Sequence, residues 1–214
     1  MGLNKQTGNM YPFVTHTWNP IRGKCPHDCS YCYMKVYPQP NLHFTEAEMK
    51  TNLGKGNFIF VGSSTDMWAK RVFVNWILDT LEHCCKFKNR YLFQSKNPQR
   101  FQGFLFPDDV VLGTTIETNR DYNVSKAPYP WERMMAMTYL DKPKMVSIEP
   151  IMDFDLDILP YWIKNIKPEF VSIGADSKGH NLPEPPAEKV QRLIEQLQKF
   201  TVVKIKSNLE RISR

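Results

Sequence analysis

The 214-residue chain has no run of 18 or more apolar residues, which excludes a hydrophobic membrane-spanning helix. It has no internal repeat and no low-complexity tract, so a single domain over residues 1–214, expected to be a monomer, is the simplest organisation. Cysteine is scarce. There are five, an odd number, and no signal peptide precedes them, which argues against a disulfide-stapled secreted domain and for a reducing cytoplasm. A second spaced cysteine pair, which a zinc ribbon would need, is missing. The 42% hydrophobic content supports a globular core.

Three of the cysteines stand together, Cys25, Cys29 and Cys32, in the segment KCPHDCSYCY. Three thiolates on one tight loop can hold a cubic 4Fe-4S iron-sulfur cluster and leave its fourth iron without a protein ligand, an open site for chemistry. The other two, Cys84 and Cys85, are adjacent in VFVNWILDTLEHCCKF (72–87), whose apolar spacing is helical. Neighbours on a helix point about 100° apart, so at most one could face such a site, and packing roles are expected for both. The alternative for the triplet is a structural zinc site completed by His16, His27 or His43.

Short apolar runs alternate with amphipathic stretches along the whole chain. The strand candidates are 11–18, 57–62, 91–96, 110–117, 144–150, 169–175 and 201–206. Helices are expected around 45–53, 72–87, 98–105, 130–140, 156–166 and 186–200. The runs are too short for helices and lack strict alternation, as expected of strands buried on both faces. The fold class is therefore α/β, a partial (β/α)6-type open TIM-like barrel, because a full barrel usually takes about 250 residues.

In such a fold the C-terminal strand ends form the site, and here they are unusually polar. They carry Asn19 after the first run, Gly62, Ser63, Ser64, Thr65 and Asp66 after the second, and Gln94, Ser95 and Lys96 at the third. Thr115, Glu117 and Asn119 follow the fourth, Ser147 and Glu149 the fifth, Gly174 and Asp176 the sixth, with Lys204 and Lys206 on the last. Helix N-caps and turns would account for any single Ser, Thr, Asp or Asn. A carboxylate such as Glu117 or Glu149 directly after a buried strand demands a partner, either a ligand or a rim lysine such as Lys96 or Lys204.

The C-x3-C-x2-C triplet, with Tyr31 before its third cysteine, resembles the signature of the radical S-adenosylmethionine (SAM) enzymes. That resemblance implies that Cys25, Cys29 and Cys32 ligate the cluster, whose open iron binds S-adenosyl-L-methionine, and that Tyr31 packs near the adenine. It implies an electron donor such as a flavodoxin or ferredoxin. It also implies that the segment GSSTD (62–66) meets the methionine amino group. The second glycine and the glutamate usual there are absent, which leaves Gly62, Ser63, Ser64 and Asp66 to serve. By position, Thr115, Glu117 and Asn119 match ribose or carboxylate contacts, and Glu149 lies where the fifth strand approaches the cofactor.

A closer resemblance runs through THTWNPIRGKC, FIFVGSSTDMW, FQSKNPQRF, LGTTIETN, VSIEPIMDFDL and VSIGADS. This order is similar to a phage-associated, radical-SAM-like family linked to hypermodified thymine, itself similar in its cysteine motif to spore photoproduct lyase. It implies a thymine-derived base in phage-type DNA as substrate, modified or rearranged at a substituent, and with it the cytoplasm of a phage-infected bacterial host.

Charge agrees with a polyanionic partner, with a net charge of +6 and a pI near 9.0. Loose basic groups lie at Lys86, Lys88 and Arg90, at Lys96 and Arg100, and at Lys204, Lys206, Arg211 and Arg214. Trp18, Trp68, Tyr122, Tyr129 and Trp131 are candidates to stack an exposed base of a DNA or nucleotide substrate. Two other functions fit the same residues: a radical SAM enzyme acting on a free nucleotide or small metabolite, and a non-catalytic zinc-dependent DNA-binding module.

Overall fold

The computed structural model describes residues 2–8 and 10–213. In chain order the strands are β1 (Asn4–Lys5), β2 (His16–Trp18), β3 (Ile21–Arg22), β4 (His43–Phe44), β5 (Phe58–Val61), β6 (Arg90–Ser95), β7 (Val110–Thr115), β8 (Lys144–Ile148), β9 (Phe170–Ile173) and β10 (Val202–Ile205). The α-helices are α1 (Val74–Cys85), α2 (Pro130–Thr138), α3 (Leu159–Ile166) and α4 (Ala187–Gln198). Where helices were expected at 45–53 and 98–105, the chain makes short 3-10 turns, Glu46–Lys50 and Pro98–Phe101.

Eight strands form one sheet in the order β1-β2-β5-β6-β7-β8-β9-β10, with every pairing parallel except β1 against β2. From β2 onward the order in space follows the order in sequence, so each crossover advances one place, as in an open partial barrel. The seven strand candidates are all present in this sheet. Sequence patterning did not reveal β1, nor the small β3–β4 ribbon that carries the chain into and out of the cysteine loop.

Both sheet faces are apolar over most of their length, because helices cover one side and the chain's own start fills part of the other. Ile59, Val61, Tyr91, Phe93, Leu112, Val146, Ile148, Val171 and Ile173 pack outward with Ile77, Met137, Ile163 and Leu193 of the four helices. On α4 the buried residues Val190, Leu193, Ile194 and Leu197 recur at helical spacing and form one face. Pro130 opens α2, where its missing N–H costs nothing, and Glu132 accepts the Tyr129 N–H at 2.7 Å.

The inner face has a floor. The expected first strand, 11–18, is extended only at its end. Tyr11 and Val14 instead pack with Phe60, Leu92, Val111, Met145 and Phe170. Phe13 reaches Phe58 on β5 and Phe170 on β9, at 5.7 and 4.8 Å between ring centres, so the segment bridges strands that are far apart in the sheet. Both contacted residues begin their strands, which places this plug at the N-terminal end of the barrel.

Several expectations for single residues change. Trp68 is not at the mouth: it is 0% exposed and caged by Phe93, Phe101, Phe104 and Phe106. Trp18 is equally buried and donates to Glu48 at 3.0 Å. Cys84 packs in the core as expected, whereas Cys85 is exposed. Among the described residues no helix is long and apolar enough to cross a membrane.

Candidate active site at the cysteine loop

The cysteine loop lies over the C-terminal ends of the strands and is fastened there by loops after β5 and β7. Thr65 donates to Gly23 O at 2.8 Å, and the His27 ring meets Asp66 at 2.9 Å. Ser30 N donates to Val124 O at 2.8 Å and Lys126 N to His27 O at 2.7 Å. Between the first two cysteines Asp28 takes a left-handed φ of 48°, which a short polar side chain tolerates, and pairs with Lys35 and Lys126 at 3.0 and 2.8 Å.

Cys29 is buried, and Cys25 and Cys32 are half-buried. Burial pushes the Cys25 thiol up to about 12, the Asp66 carboxylate adds to this, and N–H groups of Asp66 and His27 pull the other way. Burial also raises Cys29, with Lys96 opposing and Glu117 reinforcing. Such thiols give up their protons only to a strong cationic centre, and metal binding would be coupled to proton release. Among the described residues no three His, Cys, Asp or Glu side chains converge on one point as a single ion requires. Three cysteines on one loop are the ligand set that a cubane with one open iron would use.

Below the loop the inner face turns polar. The register places Thr115, Ser147, Ser172 and Lys204 side by side on β7 to β10, and Gln94 lies opposite Gly113 on β6 and β7. Gln94 donates to the Thr115 hydroxyl at 3.0 Å, and the Tyr11 hydroxyl rises from the floor to Ser147 at 2.8 Å. Among the described residues Gln94 Oε1, Ser172 Oγ and Asn208 Oδ1 are buried without a hydrogen-bond partner, as are Thr45 Oγ1, Trp68 Nε1 and Arg90 Nε elsewhere. Each such atom costs about 1–3 kcal/mol, and the two on strands β6 and β9, Gln94 and Ser172, fit a site that a polar ligand completes.

The residues singled out from the sequence fall into two sets. Gly62, Ser63, Ser64 and Asp66 form the turn after β5, directly against the cysteine loop. Gly62 has a φ of 80°, and an added Cβ would lie 3.3 Å from Thr65 O. Asn19 Oδ1 accepts the Ser64 N–H at 2.9 Å and the Ser63 hydroxyl at 3.2 Å, while Tyr33 donates to Ser63 O at 2.7 Å. Asp66 is saturated: besides His27 it accepts from Ser95 Oγ at 2.9 Å, Lys96 N at 2.8 Å and Trp68 N at 2.9 Å. Burial alone would raise its carboxyl, but His27 and these N–H groups bring it below the ordinary value.

The second set is occupied by internal partners. Tyr31 and Lys96 both bond one oxygen of Glu117, and Arg133 bonds the other at 2.8 Å. Burial would raise Glu117, yet Arg133 and Lys96 hold it down at about 2. Asn119 is engaged with Asp155, donating at 2.8 Å and accepting its N–H at 2.7 Å. Glu149 pairs with Lys206 at 2.8 Å rather than with Lys204, whose ammonium lies over the Phe13 and Phe170 rings. Of the two rim lysines anticipated, Lys96 pairs with Glu117 as expected, whereas Lys206 takes the place expected of Lys204.

Sequence reasoning missed Arg133, whose guanidinium is 4% exposed, because nothing marks a charged residue on the inner face of a helix beforehand. The loose basic groups do not form a free patch. Lys86, Arg90 and Arg211 pair with Glu82, Glu169 and Glu184, and Arg100 donates to Ala69 O and Val72 O. Arg214 lies outside the described residues.

No protein-family model and no curated protein sequence matches the chain. Solved structures do share its architecture. Spore photoproduct lyase with bound AdoMet and dinucleoside spore photoproduct superposes with a TM-score of 0.57 at 10% identity, over 91% of this chain and 64% of that one. The lyase complexed with dinucleoside spore photoproduct alone gives 0.57 at 12% over 92% and 64%. Streptococcus suis SuiB bound to S-adenosylmethionine gives 0.56 at 10% over 88% and 49%. The chain therefore spans 64% of the lyase's length and about half of SuiB's. At such identities it is the fold alone that is shared, a partial TIM-like barrel.

Proposed function

We propose that the protein is a radical SAM enzyme acting on a thymine-derived base in phage-type DNA. The observation that carries this reading is the placement of Cys25, Cys29 and Cys32 on one loop, fastened over the polar end of a partial barrel. In this reading the three thiolates hold a 4Fe-4S cluster. When bound, the reduced cluster would pass one electron from a flavodoxin- or ferredoxin-type donor to the SAM sulfonium, yielding methionine and a 5′-deoxyadenosyl radical able to abstract hydrogen.

The chain's own residues then have separate tasks. The Gly62–Asp66 turn, set by Asn19, offers backbone carbonyls and the Ser63 and Ser64 hydroxyls to the methionine end of SAM. Tyr31, fixed by Glu117 and Lys96, presents its ring beside the adenine. Thr115, Glu117, Asn119 and Glu149 border the cofactor from β7 and β8. Ligand contact at Glu117, Asn119 or Glu149 would be made alongside, or in exchange for, the internal bonds they hold. The unpartnered groups of Gln94 and Ser172 supply donors and acceptors to the ligand below. The lyase that shares this fold was seen with a dinucleoside photoproduct, which supports a DNA base as substrate.

Anaerobic reconstitution with iron and sulfide tests the reading. A brown protein with about four irons per chain, bleached in Cys29→Ala, is expected. 5′-Deoxyadenosine should appear only when DNA containing hypermodified thymine is supplied. Zinc held by the same cysteines would overturn the cluster, and equal SAM cleavage with and without DNA would overturn the substrate.

A further inference from the structure

Next to the cysteine loop, but not part of it, the segment between β7 and α2 lines an open cavity of about 240 Å³. Its walls combine flat or apolar groups, Tyr122, Val124, Ala127 and Tyr129 among them, with polar ones such as Arg120 and Asn123, and they include the Glu117–Arg133 pair. At about 30 Å³ per water in the liquid, the space is too large for one or two solvent molecules. It lies somewhat below the about 300–1,000 Å³ of pockets for drug-sized ligands.

The Arg133 side chain is 4% exposed. Its Nε donates to Pro128 O, and Nη1 to Thr115 O and Glu117, whereas Nη2 makes no hydrogen bond among the described residues. The third nitrogen of this guanidinium is left to give a hydrogen bond to an acceptor in the cavity that Arg133 lines. Tyr129 exposes half of its surface, and the Lys126 side chain is three-quarters exposed. A pocket that sets the rings of Tyr122 and Tyr129 beside polar donors and acceptors has the chemistry that takes a base from a single strand.

Cys25, Cys29, Cys32 and Tyr31 do not line this cavity. Glu117 stands between, bonded to Tyr31 on one oxygen and to Arg133 on the other. A ring held there is therefore not the reacting one. We propose that the cavity is a recognition subsite for an unpaired nucleobase that neighbours the reacting base on one DNA strand, a reading that rests on DNA being the substrate class. Because Val124 O and Lys126 N also fasten the cysteine loop, strand binding at this subsite and placement of the reacting base are mechanically linked.

The test fills the cavity from two walls, with Ala127→Phe and Val124→Phe, Ala127→Leu serving as a smaller plug if phenylalanine prevents folding. Reconstituted parent and variants are compared for iron content, for AdoMet affinity by equilibrium dialysis, and for a short single-stranded oligothymidylate by fluorescence anisotropy. The expected result is parental iron and AdoMet affinity with oligothymidylate binding weakened about tenfold at both positions. Parental oligothymidylate affinity in either folded variant overturns the subsite, as does a parent that binds no oligothymidylate. Weakened AdoMet binding, alone or together with the other loss, also overturns it by making the cavity part of the cofactor site. Failure of the cluster reading would show separately, as a parent without iron.

Discussion

Arg133 Nη1 lies 2.8 Å from Glu117 Oε2, and the two side chains are 4% and 1% exposed. This ion pair joins α2 to the end of β7, and through Tyr31 and Lys96 it extends to the cysteine loop and β6. Two cations and a phenol thus depend on one buried carboxylate.

Glu117→Gln should therefore be strongly destabilising, by about 3–5 kcal/mol, because Arg133 and Lys96 stay buried with their charge uncompensated. Urea unfolding of parent and variant measures this. A loss under about 1 kcal/mol would mean that the lysine and arginine find other partners.

The same carboxylate should shape acid stability. Its folded-state value, about 2, lies below the unfolded one, so between them the unfolded chain binds more protons. Its contribution is present above about pH 4.5 and is lost as pH falls through about 2. Unfolding free energies at about pH 5 and about pH 3 should fall for the parent and change less for Glu117→Gln. Parallel curves would exclude Glu117 as a source of acid sensitivity.

Asp66 gathers His27, Ser95 and two backbone N–H groups on one carboxylate, which makes it the peg of the cysteine loop. Asp66→Ala is expected to fold but to lose iron faster than the parent under chelator challenge. Asp66→Asn, which keeps an acceptor, should fall between. Identical iron loss in all three would assign the loop's rigidity to Thr65 and the β7 loop instead.

Gly174→Ala puts a methyl group 2.8 Å from Glu149 Oε1 and 2.9 Å from Asn208 Oδ1. The Glu149–Lys206 pair must move, and a cost of about 1–3 kcal/mol is expected in thermal or chemical unfolding. An unchanged midpoint would show that the pair relocates freely.

Much of this was legible in the chain. Runs such as FIFV and FVSI, apolar on both faces, read as buried parallel strands, and the cysteine spacing read as a loop, because both are local signals. Tyr11 and Trp68 were misplaced for a different reason. Tyr11 stands in an apolar run and Trp68 in a polar one, yet in both cases only distant residues, Phe60 and Ser147 for one and Phe101 and Phe106 for the other, settle where the ring packs. Arg133 was invisible because its partner lies 16 residues away on another element.

The floor formed by Tyr11, Phe13 and Val14 has a kinetic consequence. A barrel stoppered at its N-terminal end admits nothing from below, so a molecule bound under the cysteine loop would have to come and go past the C-terminal ends of the strands or through the seam between the sheet's two open edges.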